Sequence, residues 1–182
     1  MNIEQVCMQE IHHSLDKIQL GDMEMSKICV RALEELDAEQ VSKLDKESYS
    51  HLLDYLDSEN YVWGIFNETN ELIGYCTIGG AEDSTTGYLY YPFWTKDSLI
   101  LSDVFVSSKY RSKGYAIRML NETLKLANPN QYTVFLTVLD DRLRRLYEKV
   151  GFKYIEDGCM VLLNDKLRHS FDNIDYLRKV KR

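Results

Sequence analysis

Apolar residues change their spacing several times along this chain, and each change marks an element. In Met1 to Leu20, Ile3, Cys7, Ile11, Leu15 and Ile18 recur at steps of three or four, the spacing of an amphipathic helix, and Gly21-Asp22 supplies a stop. Lys27 to Leu33 reads as a strand. Asp37, with Gln40 three residues on, has the form of a capping box opening a helix that carries Val41 and Leu44. A second short helix is expected over Tyr49 to Leu56. Tyr61 to Phe66 and Leu72 to Ile78 are β-rich runs joined by the polar turn Asn67 to Asn70, a hairpin that Gly79-Gly80 ends. A loop dense in tyrosine and tryptophan runs from Ala81 to Lys96, and Leu99 to Val106 is the next strand.

The second half repeats the alternation. Ala116, Leu120, Leu124 and Ala127 form one helix face, and Asn128-Pro129-Asn130 stops that helix because proline cannot continue it. Tyr132 to Leu139 is a short, buried strand. Asp140 or Asp141 caps the following helix, whose inward face is Leu143, Leu146, Tyr147 and Val150, with Gly151 just past its end. Lys153 to Glu156 and Cys159 to Leu163 flank Asp157-Gly158, a two-residue hairpin signal. Leu167, Phe171, Ile174 and Leu177 give a last helix, whose final turn is basic (Arg178, Lys179, Lys181, Arg182). The pattern is α/β. It divides into an N-terminal helical extension (1–26), one domain (27–163) and a basic helical extension packed on or next to it (164–182).

Composition narrows the chemistry. The formal net charge of −7 disfavours nucleic acid, because neutralising phosphates needs clustered Lys and Arg. No stretch approaches the roughly 18 to 20 apolar residues of a membrane span. Met1 to Glu10 lacks the basic and apolar regions of a secretory signal, which points to the cytoplasm. Cys7, Cys29, Cys76 and Cys159 form no C-x-x-C pair, so neither a metal site nor a redox motif is expected, and the last three read as small buried hydrophobes.

One local feature runs against the acidic background. Lys109, Arg111, Lys113 and Arg118 lie close together, and the loop Tyr110-Arg111-Ser112-Lys113-Gly114-Tyr115-Ala116 joins a hydrophobic strand to a helix. Such a junction turns backbone N–H groups and the positive helix end toward one point, where a phosphate can sit. The loop lies at the carboxyl end of its strand, where open α/β sheets bind ligands. A basic patch on an acidic body suits a small polyanion, and the acidic remainder favours a cationic second substrate.

Two motifs then give a resemblance. Arg111-Ser112-Lys113-Gly114-Tyr115-Ala116 matches [RQ]-x-x-G-x-[GA], and Leu146-Tyr147-Glu148-Lys149-Val150-Gly151-Phe152 matches a later Leu-Tyr-Glu-Lys-x-Gly-Phe run. In this order, separated by one helix and one strand, they resemble the GNAT superfamily of acetyl-CoA-dependent N-acetyltransferases over about Lys27 to Leu163. The resemblance implies a mixed, mostly antiparallel sheet with helices on both faces, in which the strand ending at Val106 splays from the Tyr132 to Leu139 strand. The pantetheine arm of acetyl-CoA would lie in that gap, bonded to the backbone of Val104, Phe105 and Val106. The N–H groups from Arg111 to Ala116 (Ser112, Lys113, Gly114 and Tyr115 included) would hold the pyrophosphate. Arg111 and Lys113 would add charge by pointing outward, and a side chain at Gly114 would block the approach.

The implied reaction is direct attack of a neutral amine on the thioester, with a backbone N–H near Phe105 or Val106 facing the oxyanion. Tyr147 is the implied proton donor to the departing thiolate; by spacing alone it is a core aromatic. Asp103 is the carboxylate nearest the reacting strand and the candidate base, with a capping role as the alternative. Glu82 and Asp83 in the aromatic loop are further candidates for the base, with plain solvation as the alternative; His51 reads as a surface histidine, and His12, His13 and His169 belong to the terminal helices, away from this chemistry. Tyr88, Tyr90, Tyr91, Phe93 and Trp94 either line the acceptor pocket, with Tyr91 and Trp94 as the substrate-binding pair, or pack on the sheet. Asp140 stands where the family commonly has asparagine, and an ionised carboxylate accepts but cannot donate to the pantetheine. Leu143 stands where alanine is common, and Ser108 where proline is. Two other readings stay open: an enzyme using a different acyl-CoA, and a non-catalytic CoA sensor or interaction module. A homodimer is also left open.

Overall fold

Asn67 shows how locally the first hairpin is specified. Its side-chain oxygen accepts from the N–H groups of Thr69 and Glu71 at 3.1 and 2.9 Å, and Asn70 takes the left-handed φ of 59° that asparagine tolerates. The turn joins β2 (Tyr61–Phe66) to β3 (Leu72–Gly80) as expected. The computed structural model describes residues 28–44, 61–80, 91, 94–128, 130–138 and 140–163. The expected helices of 1–26, 49–56 and 164–182 lie outside these residues. So do Cys7, all four histidines, and Glu82, Asp83, Tyr88, Tyr90 and Phe93.

Among the described residues seven strands form one sheet in the order β1-β2-β3-β4-β5-β7-β6. The remaining strands are β1 (Cys29–Ala32), β4 (Leu99–Val106), β5 (Val134–Thr137), β6 (Lys153–Tyr154) and β7 (Cys159–Leu162). Only the β4–β5 pair is parallel, so the sheet is mixed and mostly antiparallel. β5 is shorter than the apolar run around it, with Tyr132 37 % exposed. Gly158, at φ 79°, closes the last hairpin after Asp157 at φ 48°, the pair of left-handed residues that a tight hairpin turn needs.

Helices cover both faces. α2 (Tyr115–Ala127) and α3 (Asp141–Val150) bring Met119, Leu120 and Tyr147 onto Ile65, Cys76, Leu101, Val134 and Leu136. α1 (Ala38–Leu44) lies on the opposite face, where Val41 meets Val62, Phe66, Leu72 and Tyr75. Phe135 alternates with Val134 and Leu136 and therefore faces the α1 side, where it packs with Cys159, Val161, Tyr91 and Trp94.

Four local expectations change. Asp37 is not the N-cap: it ends a 3₁₀ turn (Glu35–Asp37), and its Oδ2 accepts the Glu34 N–H at 2.9 Å, one turn earlier than the spacing suggests. Arg31 from β1 draws it there through two bonds of 2.6 and 2.8 Å, while Gln40 accepts the Leu72 N–H at 2.9 Å. Cys29 is exposed, because β1 is an edge strand with only β2 beside it. Leu143 is 47 % exposed, although it lies one turn before Tyr147 on the same row of α3; it sits in the first turn of the helix.

The Arg31 hydrogen bonds hold the Asp37 carboxyl below the usual carboxylate range. The ionised form is thus preferred by the folded state. Its stabilisation is present above an unfolded pKa of about 4 and is lost as pH falls below that value. Asp37→Asn is expected to lower stability at pH 7 by about 2 kcal/mol, less than the roughly 3–5 of a fully buried pair, because the Arg31 side chain is 37 % exposed. Urea unfolding from pH 7 to pH 3 checks this: the gap between wild type and variant should close with acid, and a constant gap would contradict it.

Candidate functional site

β4 leaves its two neighbours in different ways. Its parallel ladder with β5 consists of Leu99↔Val134 and Ile100↔Phe135 and then stops, so from Leu101 onward the two strands part. On the other side, Tyr75 pairs with Phe105 and Thr77 with Ser102: β3 advances two residues while β4 advances three. The extra residue is a β-bulge. Asp103 within it has φ 47°, a left-handed conformation rare for a non-glycine residue. Leu101, Val104 and Val106 pack toward α2 and α3, and Phe105 stacks on Tyr75 on the other face at 5.5 Å.

At the carboxyl end of β4 a 3₁₀ turn (Ser108–Tyr110) leads into the loop. The Tyr110 hydroxyl anchors this turn to the first hairpin by donating to Glu71 Oε2 at 2.9 Å. Ser112 (φ 61°) and Gly114 (φ 82°) are both left-handed, and Gly114 is the N-cap of α2. The N–H groups of Ser112, Lys113, Gly114, Ala116 and Ile117 have no acceptor among the described residues. On either side of them the Arg111 N–H donates to the Ser108 carbonyl at 3.3 Å and the Arg118 N–H to the Gly114 carbonyl at 3.1 Å. A Cβ built on Gly114 meets nothing within 4 Å. The loop thus carries a set of N–H donors at a positive helix end, facing open space.

The basic side chains do not all join it. Arg111 folds back instead of pointing outward: its Nε donates to the Val106 carbonyl at 2.8 Å, and its guanidinium lies 5.7 Å from the Phe105 ring. Lys109 and Lys113 sit 4.9 and 5.8 Å from the Tyr110 ring. Arg118 turns away, donating to the Ile28 carbonyl at 3.2 Å, so of the cluster of four expected from spacing only Lys109 and Lys113 are not drawn onto a backbone carbonyl among the described residues.

Tyr147 lies in the core beneath the diverging strands, edge-on to Phe152 at 5.9 Å. Burial pushes its phenol up to about 12. Burial likewise raises the Cys76 thiol to about 12, and this thiol donates to Thr123 Oγ1 at 3.6 Å. Asp140 caps α3, its Oδ1 accepting the Arg142 N–H at 2.6 Å. It also borders a cavity of about 300 Å³ shared with Val138, Asp141, Arg144, Tyr154, Asp157 and Gly158, beside the last hairpin.

Asp103 points to the face opposite α2 and α3. The Thr77 hydroxyl lies 3.2 Å from its Oδ2 and 3.2 Å from Ser102 Oγ. Asp103 forms no ion pair among the described residues. Tyr91 and Trp94 are on the same face, with ring centroids 6.1 and 5.3 Å from that of Phe135, at the last paired rung before the strands part. Thr77 and Ser102 carry no signal in the sequence, because only the register of β3 on β4 brings them to Asp103.

Comparison with known proteins gives consistent results. The sequence model of the acetyltransferase (GNAT) family matches residues 30–152. No curated protein matches the chain significantly. Among solved structures, Arabidopsis thaliana NAA60 in complex with acetyl-CoA is 18% identical, with a TM-score of 0.55 over 75% of this chain and 98% of that one. A putative acetyltransferase from Acinetobacter baylyi is 16% identical, with a TM-score of 0.58 over 79% and 96%. Spermidine N-acetyltransferase from Vibrio cholerae, a dodecamer, is 17% identical, with a TM-score of 0.54 over 79% and 98%. At such identities the likeness is one of fold.

Proposed function

Because this chain belongs to the GNAT acetyltransferase family, the family model spanning residues 30–152, we propose that it transfers an acetyl group from acetyl-CoA to a primary amine, by direct attack in a ternary complex. The observation that carries this reading is the set of N–H groups of Ser112, Lys113, Gly114, Ala116 and Ile117 without acceptors among the described residues, at the mouth of a fork between β4 and β5. A diphosphate is the group such a row fits, and acetyl-CoA brings one together with an acyl carbon already activated as a thioester. The loop from Arg111 to Ala116, Tyr115 included, would hold the diphosphate. The β4 backbone at Val104 and Phe105 would bind the pantetheine along the fork. The Val106 carbonyl already serves Arg111, which limits its part to the N–H side. Asp140 spends one oxygen on its helix cap, leaving the other to accept from an amide of the arm.

Tyr147 and Asp103 would divide the proton work. A phenol near 12 stays neutral at physiological pH. Handing its proton completely to a thiolate of pKa about 8.5 costs roughly 5 kcal/mol at 1.36 kcal/mol per unit. Tyr147 therefore acts foremost as a hydrogen-bond donor to the departing sulfur. An amine of pKa about 10.4 costs roughly 4.6 kcal/mol to deprotonate at pH 7. Asp103, unpaired with any cation among the described residues and beside the fork, would receive that proton directly or through water. Spermidine, the substrate in the name of one similar structure, is an amine, which supports the acceptor class.

Thiol release from acetyl-CoA in the presence of amines and peptides tests the proposal. Turnover above the rate without protein is expected with at least one amine, and tight CoA binding without any turnover would contradict it. Trp94→Ala is expected to raise the KM for the amine about tenfold while leaving acetyl-CoA binding within twofold, the cost of roughly one cation–π contact. Equal loss of both would mark Trp94 as packing for Phe135 and nothing more.

A further inference from the structure

We infer that Thr77 is a positioning residue for Asp103, and that Thr77, Ser102 and Asp103 form one hydrogen-bonded unit on the acceptor side of the sheet. The inference rests on the reading of Asp103 as proton acceptor given above. In a regular strand Ser102 and Asp103 would point to opposite faces. The extra residue in β4 and the φ of 47° at Asp103 instead bring both side chains to the same hydroxyl. Thr77 is 2 % exposed, so its hydroxyl depends on these partners.

One hydroxyl has one proton. Of the two acceptors at 3.2 Å, the charged carboxylate is the stronger and takes it, with the Ser102 hydroxyl oxygen as the weaker, competing acceptor. The bond occupies Asp103 Oδ2 and leaves Oδ1, which has no hydrogen-bond partner among the described residues. The Tyr75–Phe105 stack lies farther along the same two strands, toward the carboxyl end of β4, and Phe135 with Trp94 marks the β5 side of the same face. A substrate amine entering between them meets a carboxylate whose rotamer is already chosen, which lowers the ordering cost at the reacting centre.

Thr77→Val keeps the shape and removes the hydroxyl; Thr77→Ser keeps the hydroxyl. With the best amine from the thiol-release assay, Thr77→Val is expected to lower kcat between about tenfold and a hundredfold, with the KM for acetyl-CoA unchanged. Thr77→Ser should recover most of the loss. Adding Thr77→Val to Asp103→Asn should cost nothing further, because the valine acts only through the carboxylate. An unchanged kcat in Thr77→Val, or the same loss in both backgrounds, overturns the inference. Crystal structures of the two variants decide it without any substrate: the Asp103 carboxylate should leave its position in Thr77→Val and keep it in Thr77→Ser. A carboxylate unmoved in Thr77→Val also overturns the inference. Lack of turnover by the wild type would count against the acetyl-transfer reading and leave this structural comparison to decide for Thr77.

Discussion

Gly114→Val is expected to cost at least a hundredfold in acetyl-CoA affinity while the protein stays folded. The two halves of this expectation have separate causes. Among the described residues, chain neighbours aside, nothing lies within 4 Å of a Cβ at position 114, so these residues object only to the φ of 82°. Forcing an L-residue into that region costs roughly 1–2 kcal/mol, against a typical stability of about 5–15 kcal/mol. Position 114 lies among the N–H groups of Lys113, Gly114 and Ala116, which have no acceptor among the described residues. A branched side chain there keeps a diphosphate from reaching them. Hydrogen bonds to charged groups contribute about 1.5–3 kcal/mol each, so losing two of them amounts to a hundredfold or more. Thermal unfolding separates the effects. Acetyl-CoA at a hundred times its Kd adds about 2.7 kcal/mol to the wild type, roughly 5–10 °C for a chain of this size. The variant should show a small drop without ligand and no gain with it. A full ligand-induced gain in the variant would show that the diphosphate sits elsewhere.

Tyr147→Phe is expected to lower kcat about a hundredfold, the scale of a positioned proton or hydrogen-bond donor, and to leave acetyl-CoA binding and stability nearly unchanged. The ring does the packing: it lies edge-on to Phe152 and inside the main core, and phenylalanine keeps both contacts. Only the hydroxyl is lost. Steady-state kinetics beside urea unfolding distinguishes the two roles this residue can have. A fall in kcat at constant stability assigns it to the departing sulfur. An unchanged kcat would make it a core aromatic, as its helix position alone suggests.

Much of this was legible in the chain because the relevant signals are local. The loop Arg111 to Ala116, the asparagine turn at Asn67, the Asp140 cap and the Asp157-Gly158 hairpin each depend on residues a few positions apart, and each is where the pattern puts it. What the pattern missed is set by partners distant in sequence or space. Asp37 has the neighbours of an N-cap, but Arg31 on the adjacent edge strand offers a charged fork, and two bonds to it outweigh one cap. Arg111 and Arg118 look like members of one patch until the Val106 and Ile28 carbonyls claim their guanidinium groups. The bulge at Asp103 is the clearest case. Eight residues of β4 read as a regular strand, and only the register against β3 reveals the additional residue that turns Asp103 toward Thr77.

The account depends on where coenzyme A lies, and a crystal structure of the protein with acetyl-CoA tests that most directly. The diphosphate oxygens are expected about 3 Å from the backbone nitrogens of the Ser112 to Ile117 loop, with the pantetheine in the fork beyond Ile100 and Phe135 and the sulfur within reach of the Tyr147 hydroxyl. Density for the diphosphate at any other surface, or a fork that closes with β4 and β5 paired along their length, would contradict it.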